Sequence, residues 1–189
     1  MLHPFAAEAG PGAKTNASSC VLRVEDADGR SALLTGDIEA PQEAELVARD
    51  GAALASEVLL VPHHGSRTSS SAAFLAAVRP RVAVIQVGYR SRYGHPTPEV
   101  VARYRASGIA LVRTDQCGAW TWRGGDGVCT RAVRRRYWSW KASAQPPDDA
   151  AIASGTIDRD AGADVATDSP GTPRGAATMP VAGGSSSSP

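Results

Sequence analysis

Two adjacent histidines, His63 and His64, end the apolar run Glu57-Val-Leu-Leu-Val-Pro62 and precede Gly65-Ser-Arg-Thr-Ser69. Neutral imidazole offers little to a hydrophobic core and much to a borderline metal such as zinc. Gly65 permits close backbone approach. Ser66, Thr68 and Ser69, expected at a helix N-terminus, supply hydroxyls and free N–H groups suited to an anion or phosphate. The bland alternative packs one histidine in the core and uses the other to close a turn. Asp37 follows Ala32-Leu-Leu-Thr-Gly36; a carboxylate just past a buried strand can hold a metal or activate water, or cap a turn. His95, in Tyr93-Gly-His-Pro96, is placed to bind metal, touch a substrate oxygen, shuttle a proton or hold its loop. His3 reads as a surface residue. A last cluster, Arg131 to Lys141, combines five cations with three aromatics. Of these, Arg134, Arg135, Arg136, Trp138, Trp140 and Lys141 are candidates for neutralising phosphates and stacking on unpaired bases; the alternative is a basic edge strand with its aromatics folded back.

The elements that must position these residues alternate in type. Cys20–Glu25 and Ser31–Thr35 read as strands of a hairpin around Asp28-Gly29, because glycine accepts positive φ at no steric cost. A helix opened by Pro41 and closed by Gly51 is expected to turn Ala44, Leu46 and Val47 inward. The run ending at Pro62 suits a strand buried on both faces. A helix capped by Ser69 or Ser70, with Phe74, Leu75 and Val78 inward, precedes a second buried strand, Arg81–Val87. Thr97-Pro98-Glu99 opens a third helix ending at Gly108, Ile109–Thr114 is a strand, and a Gly124–Gly127 turn joins a closing hairpin. Strands separated by helices indicate an α/β layered fold whose chemistry sits at strand ends.

The chain has 189 residues, 42% apolar and 21% charged, with a formal net charge of +1. Residues 142–189 hold six Asp, two Arg, no Lys or Glu and no aromatic residue. Such a segment buries too little apolar surface to offset its ordering entropy, so it is expected to be a disordered tail. The remaining 1–141 carries a net +5. No apolar run reaches the roughly 20 residues that span a bilayer, and no basic-then-apolar leader opens the sequence. The three cysteines make neither a disulfide framework nor a zinc set. Cys117 and Cys129 can pair in an oxidising space, but a hairpin centred on Gly125-Asp126 would set position 117 against 134, and no disulfide is forced. Together these features exclude a membrane-spanning protein, a disulfide-built mini-protein and a coiled coil.

Taken in order, Thr15–Arg23, Leu33-Leu-Thr-Gly-Asp-Ile-Glu39, Val61-Pro-His-His-Gly-Ser-Arg-Thr-Ser-Ser70, Tyr93-Gly-His-Pro96 and Arg113-Thr-Asp-Gln-Cys-Gly118 resemble the C-terminal, metallo-β-lactamase-fold domain of ComEC-type competence proteins. Arg-Arg-Tyr-Trp at 135–138 fits as well. The resemblance covers about residues 1 to 140 and implies the C-terminal half of an αββα sandwich. It implies a divalent metal, zinc or manganese, that activates water at the sheet edge. Asp37 matches the family's bridging carboxylate, His63 or His64 its last ligand histidine, and His95 a histidine of the outer site near phosphate. The role implied is DNA uptake in transformation, with this domain a candidate nuclease for the strand that is not imported, and with a location at the bacterial inner membrane.

The family's His-x-His-x-Asp-His motif is absent from the sequence. The chain is therefore expected to be a fragment, itself lacking any membrane anchor and with no more than trace hydrolase activity. Its expected partners are single-stranded DNA and the missing N-terminal half or membrane channel of a parent protein. Two alternatives are a small-molecule phosphodiester or ester hydrolase of the same fold and a non-catalytic DNA-binding half-domain.

Overall fold

A computed structural model describes residues 1–4 and 14–134. The expected tail, 142–189, and the candidates Arg135, Arg136, Trp138, Trp140 and Lys141 lie outside the described residues.

Among the described residues seven short strands form two sheets. The larger has the order β1 (Leu22–Glu25), β2 (Ser31–Leu34), β3 (Val58–Leu60), β4 (Val82–Ile85), β5 (Ala110–Arg113). The first pair is antiparallel, joined through Asp26–Arg30 with Gly29 at φ +79°; β2 to β5 run parallel. Parallel neighbours need crossovers, and three helices supply them: α1 (Ala40–Asp50), α2 (Ala72–Val78) and α3 (Pro98–Ala106). Each starts for a local reason. Pro41 sits in the first turn of α1, where Glu39 and Gln42 form a capping box. Ser71 accepts a hydrogen bond from the Phe74 amide. Pro98 follows Thr97.

Side chains alternate across the sheet with the period of two that strands impose. Leu33, Leu59, Ala83, Ile85 and Leu111 face the helices and meet Leu46, Phe74, Leu75, Val78, Val100 and Tyr104. Val58, Val82, Val84 and Val112 face the other way, with Ala32, Leu60 and Ala110 beside them. That second face is covered by a two-stranded sheet, β6 (Trp120–Arg123) and β7 (Asp126–Cys129), which lays Trp120 and Trp122 on the valines. A Cβ at Gly127 would overlap the Trp120 ring, so only glycine lets that indole cross the hairpin. Two short helices, α4 (Thr114–Cys117) and α5 (Thr130–Val133), flank the hairpin. The cover stops short of β1, where Leu22, Val24 and Leu34 remain exposed on the same face.

Several expectations are corrected. Cys117 and Cys129 are joined by a disulfide, with Cα atoms 4.9 Å apart. The turn is the tight pair Gly124-Gly125, with Asp126 and Gly127 already in β7, and the short helix α4 bends residue 117 out of the hairpin register toward 129. His3 is buried, 1% exposed, with Nε2 2.6 Å from the Ala17 carbonyl and its backbone bridged to Val21. On α1 the inward position belongs to Glu43 rather than Ala44, which is exposed. The helix start at α2 is Ser71, not Ser69 or Ser70, because Ser66–Ser70 forms a loop of its own.

Candidate metal and phosphodiester site

Because β2, β3 and β4 are parallel, the segments after their C-terminal ends meet at one sheet edge, where open α/β sheets bind ligands. The Thr35 hydroxyl donates to the Leu60 carbonyl (2.7 Å), and the His63 amide donates to the Gly36 carbonyl (3.0 Å). These bonds clamp the Asp37 turn to the histidine loop. Gly36 has φ +58°, and a Cβ there would lie 2.9 Å from that of Ser19; the Ser19 hydroxyl accepts from the Asp37 amide. The third segment is held by Gly65, whose carbonyl accepts from the Thr97 amide and whose missing Cβ makes room for Pro96.

The histidine loop is backbone-strained. Both His63 (φ 46°) and His64 (φ 56°) adopt left-handed conformations, which cost L-residues free energy and persist where surrounding contacts enforce them. The two side chains have different surroundings. His64 donates from Nδ1 to the Gln86 carbonyl (2.8 Å), because a carbonyl can only accept. In the neutral ring this leaves the lone pair on Nε2, which lies 3.4 Å from Oδ1 of Asp37. Two acceptors then face one another, both about half-exposed, and a cation or a proton between them relieves the repulsion. His63 has both nitrogens engaged. Nδ1 lies 3.2 Å from Glu39 Oε1, and Nε2 is 3.4 Å from the Asn16 side-chain amide.

His95 joins through its ring, 5.9 Å from that of His63. Burial, with the positive charges that His63 and His64 can carry adding to it, holds its pKa below the ordinary 6.5, so it is neutral at pH 7. Its Nδ1 is buried without a hydrogen-bond partner among the described residues.

The three hydroxyls differ in availability. Ser69 is buried and donates to the Pro62 and Ser66 carbonyls. Ser66 is buried and shares a hydrogen bond with Thr68 (3.1 Å). Thr68 is exposed and lies 3.5 Å from His63 Nδ1. All three belong to the loop before α2. Arg134, the one member of the basic-aromatic cluster's candidates in view, is exposed at the end of α5 and is not among the residues brought together here.

One residue that sequence reasoning missed organises this loop. Glu43 has no exposed surface and accepts from the amides of Ser70 (2.5 Å) and Ser71 (2.7 Å). Arg103 donates to the Ser69 and Ser70 carbonyls, and the Tyr104 hydroxyl, its pKa pushed up by burial, donates to Ser70 Oγ. Ser70 is held at φ 61°. The available signal was a carboxylate one turn before Leu46 and Val47 on the apolar side of α1.

Asp37 and His64 suit two positions of a divalent metal's ligand set: an oxygen donor and an imidazole whose second nitrogen is fixed by a carbonyl. Among the described residues no group of three or more His, Cys, Asp or Glu side chains could hold a metal ion. The pair fits part of a centre, not a complete one.

No protein-family model matches the chain. Competence protein ComA of Neisseria gonorrhoeae is 47% identical over 129 residues, 67% of this chain and 18% of that protein. ComE operon protein 3 of Bacillus subtilis is 36% identical over 137 residues, 72% of this chain and 17% of that protein. Recombination protein 2 of Haemophilus influenzae is 40% identical over 103 residues, 54% of this chain and 13% of that protein. The chain therefore spans less than a fifth of each of these relatives. Identity at this level over so many residues makes it a homologue of ComEC-type competence proteins, matching one stretch of their length.

Proposed function

We propose that this chain acts in DNA uptake during natural transformation, as the metallo-β-lactamase-like part of a ComEC-type protein, and that its sheet edge contributes Asp37 and His64 to a metal-dependent phosphodiester-cleaving centre. The observation that carries the reading is the lone pair of His64 Nε2 facing Asp37 Oδ1, with Nδ1 held by the Gln86 carbonyl. Zinc or manganese bound there would supply Lewis-acid chemistry to a phosphodiester. In this reading His64 is the ligand histidine, and His63 orients the loop through Glu39 and Asn16. Neutral His95 stands at the phosphate side, and Thr68 offers the exposed hydroxyl there.

Two donors leave a catalytic zinc short of the usual three protein ligands. We therefore assign the remaining ligands to residues outside those described, supplied by another segment of a longer protein. The exposed stripe Leu22, Val24 and Leu34 supports such a neighbour on the β1 side. On its own the chain cleaves DNA at no more than trace rates. Among the described residues no helix is long and apolar enough to cross a membrane; attachment to the bacterial inner membrane belongs to the parent protein in this reading. The Cys117–Cys129 disulfide supports an oxidising space on the outer side of that membrane.

Equilibrium dialysis against zinc and manganese tests the site. The wild-type chain should bind one weak equivalent, lost by tenfold or more in Asp37→Ala and His64→Ala and largely kept in His63→Ala. Unchanged binding in His64→Ala overturns the assignment. Strong metal-dependent DNA cleavage by the chain alone overturns the shared-site reading.

A further inference from the structure

The loop between β4 and α3 carries Tyr89-Arg-Ser-Arg-Tyr93, a run outside the basic-aromatic cluster near the C-terminal end of the described residues. It is a displayed surface rather than a packed one: Tyr89 is 48% and Tyr93 73% exposed, and Arg90 and Arg92 are exposed beside them. Each arginine lies against a tyrosine. The Arg90 guanidinium carbon is 5.3 Å from the Tyr89 ring centre, and that of Arg92 is 5.7 Å from the Tyr93 ring centre. No carboxylate pairs with Arg90 or Arg92 among the described residues. The loop is shaped by turns closed by Ser91 N–H to Gly88 O and Gly94 N–H to Ser91 O, with Arg90 held at φ 52°. The Tyr93 ring lies nearly parallel to His95, at 15° and 6.4 Å, and His95 leads to His63. A line of rings thus runs from an exposed tyrosine to the sheet edge that carries Asp37 and His64.

We propose that Tyr93, with Arg90 and Arg92, forms a binding platform for single-stranded DNA that delivers the backbone to that edge. The inference rests on the DNA-directed reading above and names the element that grips the substrate. The chemistry favours a single strand. Two unpaired guanidinium groups meet successive phosphates, and an open tyrosine face stacks on an unpaired base, whereas the bases of a duplex are already stacked on one another. Arginine beside the ring strengthens the aromatic contact, and with Tyr93 73% exposed, ring surface is open to an incoming base.

The test uses the full 189-residue chain and a fluorescently labelled oligothymidylate, with affinity read by anisotropy across a salt series. Tyr93→Leu should weaken binding about tenfold at fixed salt, the scale of one lost base stack. Arg90→Ala with Arg92→Ala should lower the slope of log affinity against log salt by about 1.4, the value for two single-strand phosphate contacts. Unchanged circular dichroism shows that these exposed-loop variants keep the fold. If both variants bind like wild type while replacing Arg134, Arg135 and Arg136 by Ala abolishes binding, the platform is overturned and the DNA-directed reading stands. If the folded wild-type chain binds no oligothymidylate, both fall. Tighter binding to vesicles of anionic phospholipid, or to a hairpin duplex, than to the single strand also overturns the proposal.

Discussion

The carboxylate of Glu43, on α1, receives the backbone N–H groups of Ser70 and Ser71 at the entrance to α2, with no exposed surface of its own. Two otherwise unpaired amides and one buried charge satisfy one another, so the contact is costly to break from either side. Glu43→Ala should lower unfolding stability by about 3 kcal/mol, read from the urea midpoint, because it strands both amides. Glu43→Gln, which keeps one acceptor oxygen, should lose less. Equal losses would show that one acceptor oxygen does not hold the loop and that filling the space contributes nothing, whereas an undiminished stability in Glu43→Gln would show that the side chain acts by its volume.

Gly65 and Pro96 set a second dependence. A Cβ on Gly65 would come within 2.7 Å of the Pro96 Cβ, and the backbone there has φ +79°. Gly65→Ala is expected to cost about 2 kcal/mol in thermal unfolding. It should also push the 93–97 segment outward, so the histidine NMR signals of His95 and His63 shift while those of His3 stay in place.

The pH dependence follows from His95. Its imidazole is held below 6.5 in the folded chain, chiefly by burial, so the unfolded chain binds this proton at a higher pH than the folded one does. Stability attributable to this group is therefore complete above about pH 6.5, falls as the pH drops below that value, and levels off below the folded pKa. In metal-free protein, an NMR titration should find His95 protonating below 6.5. His95→Asn should flatten the stability profile in the same window.

The Cys117–Cys129 bridge closes a short loop, with a sequence separation of 12. Chain entropy for such a loop is worth about 3 kcal/mol. Replacing both cysteines by serine, or reducing the wild type, should lower the melting temperature and increase solvent quenching of Trp120 and Trp122, which cover the second sheet face. The Asp37–His64 distance is set by the bonds of the turns themselves, His63 N–H to Gly36 and His64 Nδ1–H to Gln86, none of which involves the hairpin, so metal binding should persist after reduction.

How much of this was legible in the sequence depends on whether the determinant is local. The four apolar residues of β4, the glycine past Asp28, the proline in the first turn of α1 and the histidines ending an apolar run each act within a few positions of themselves, and all appear where expected. Glu43 was missed because a carboxylate on a helix reads as solvated unless one knows that Ser70 and Ser71 bring two amides to it. The disulfide was left open as one possible pairing, not forced, because its geometry depends on α4, a single turn too short to leave a periodic signal. The left-handed backbone at His63 and His64 has no local sign either, since neither residue favours it; the bonds to Gly36 and Gln86 impose it. For the same reason sequence alone left the two histidines interchangeable, whereas their surroundings differ.

The arrangement along β1 has a consequence for how the molecule can grow. Val21 already exchanges backbone hydrogen bonds with Leu2 and His3 on the outer border of the sheet, the N–H of Val21 to the carbonyl of His3 and the N–H of Leu2 to the carbonyl of Val21. An extended peptide laid antiparallel along Arg23 to Glu25 would prolong that ladder, and its apolar side chains would roof over Leu22 and Val24. Among the described residues the border of this sheet is a started but unfinished seam, with the direction and register of the next strand set by its first stitch.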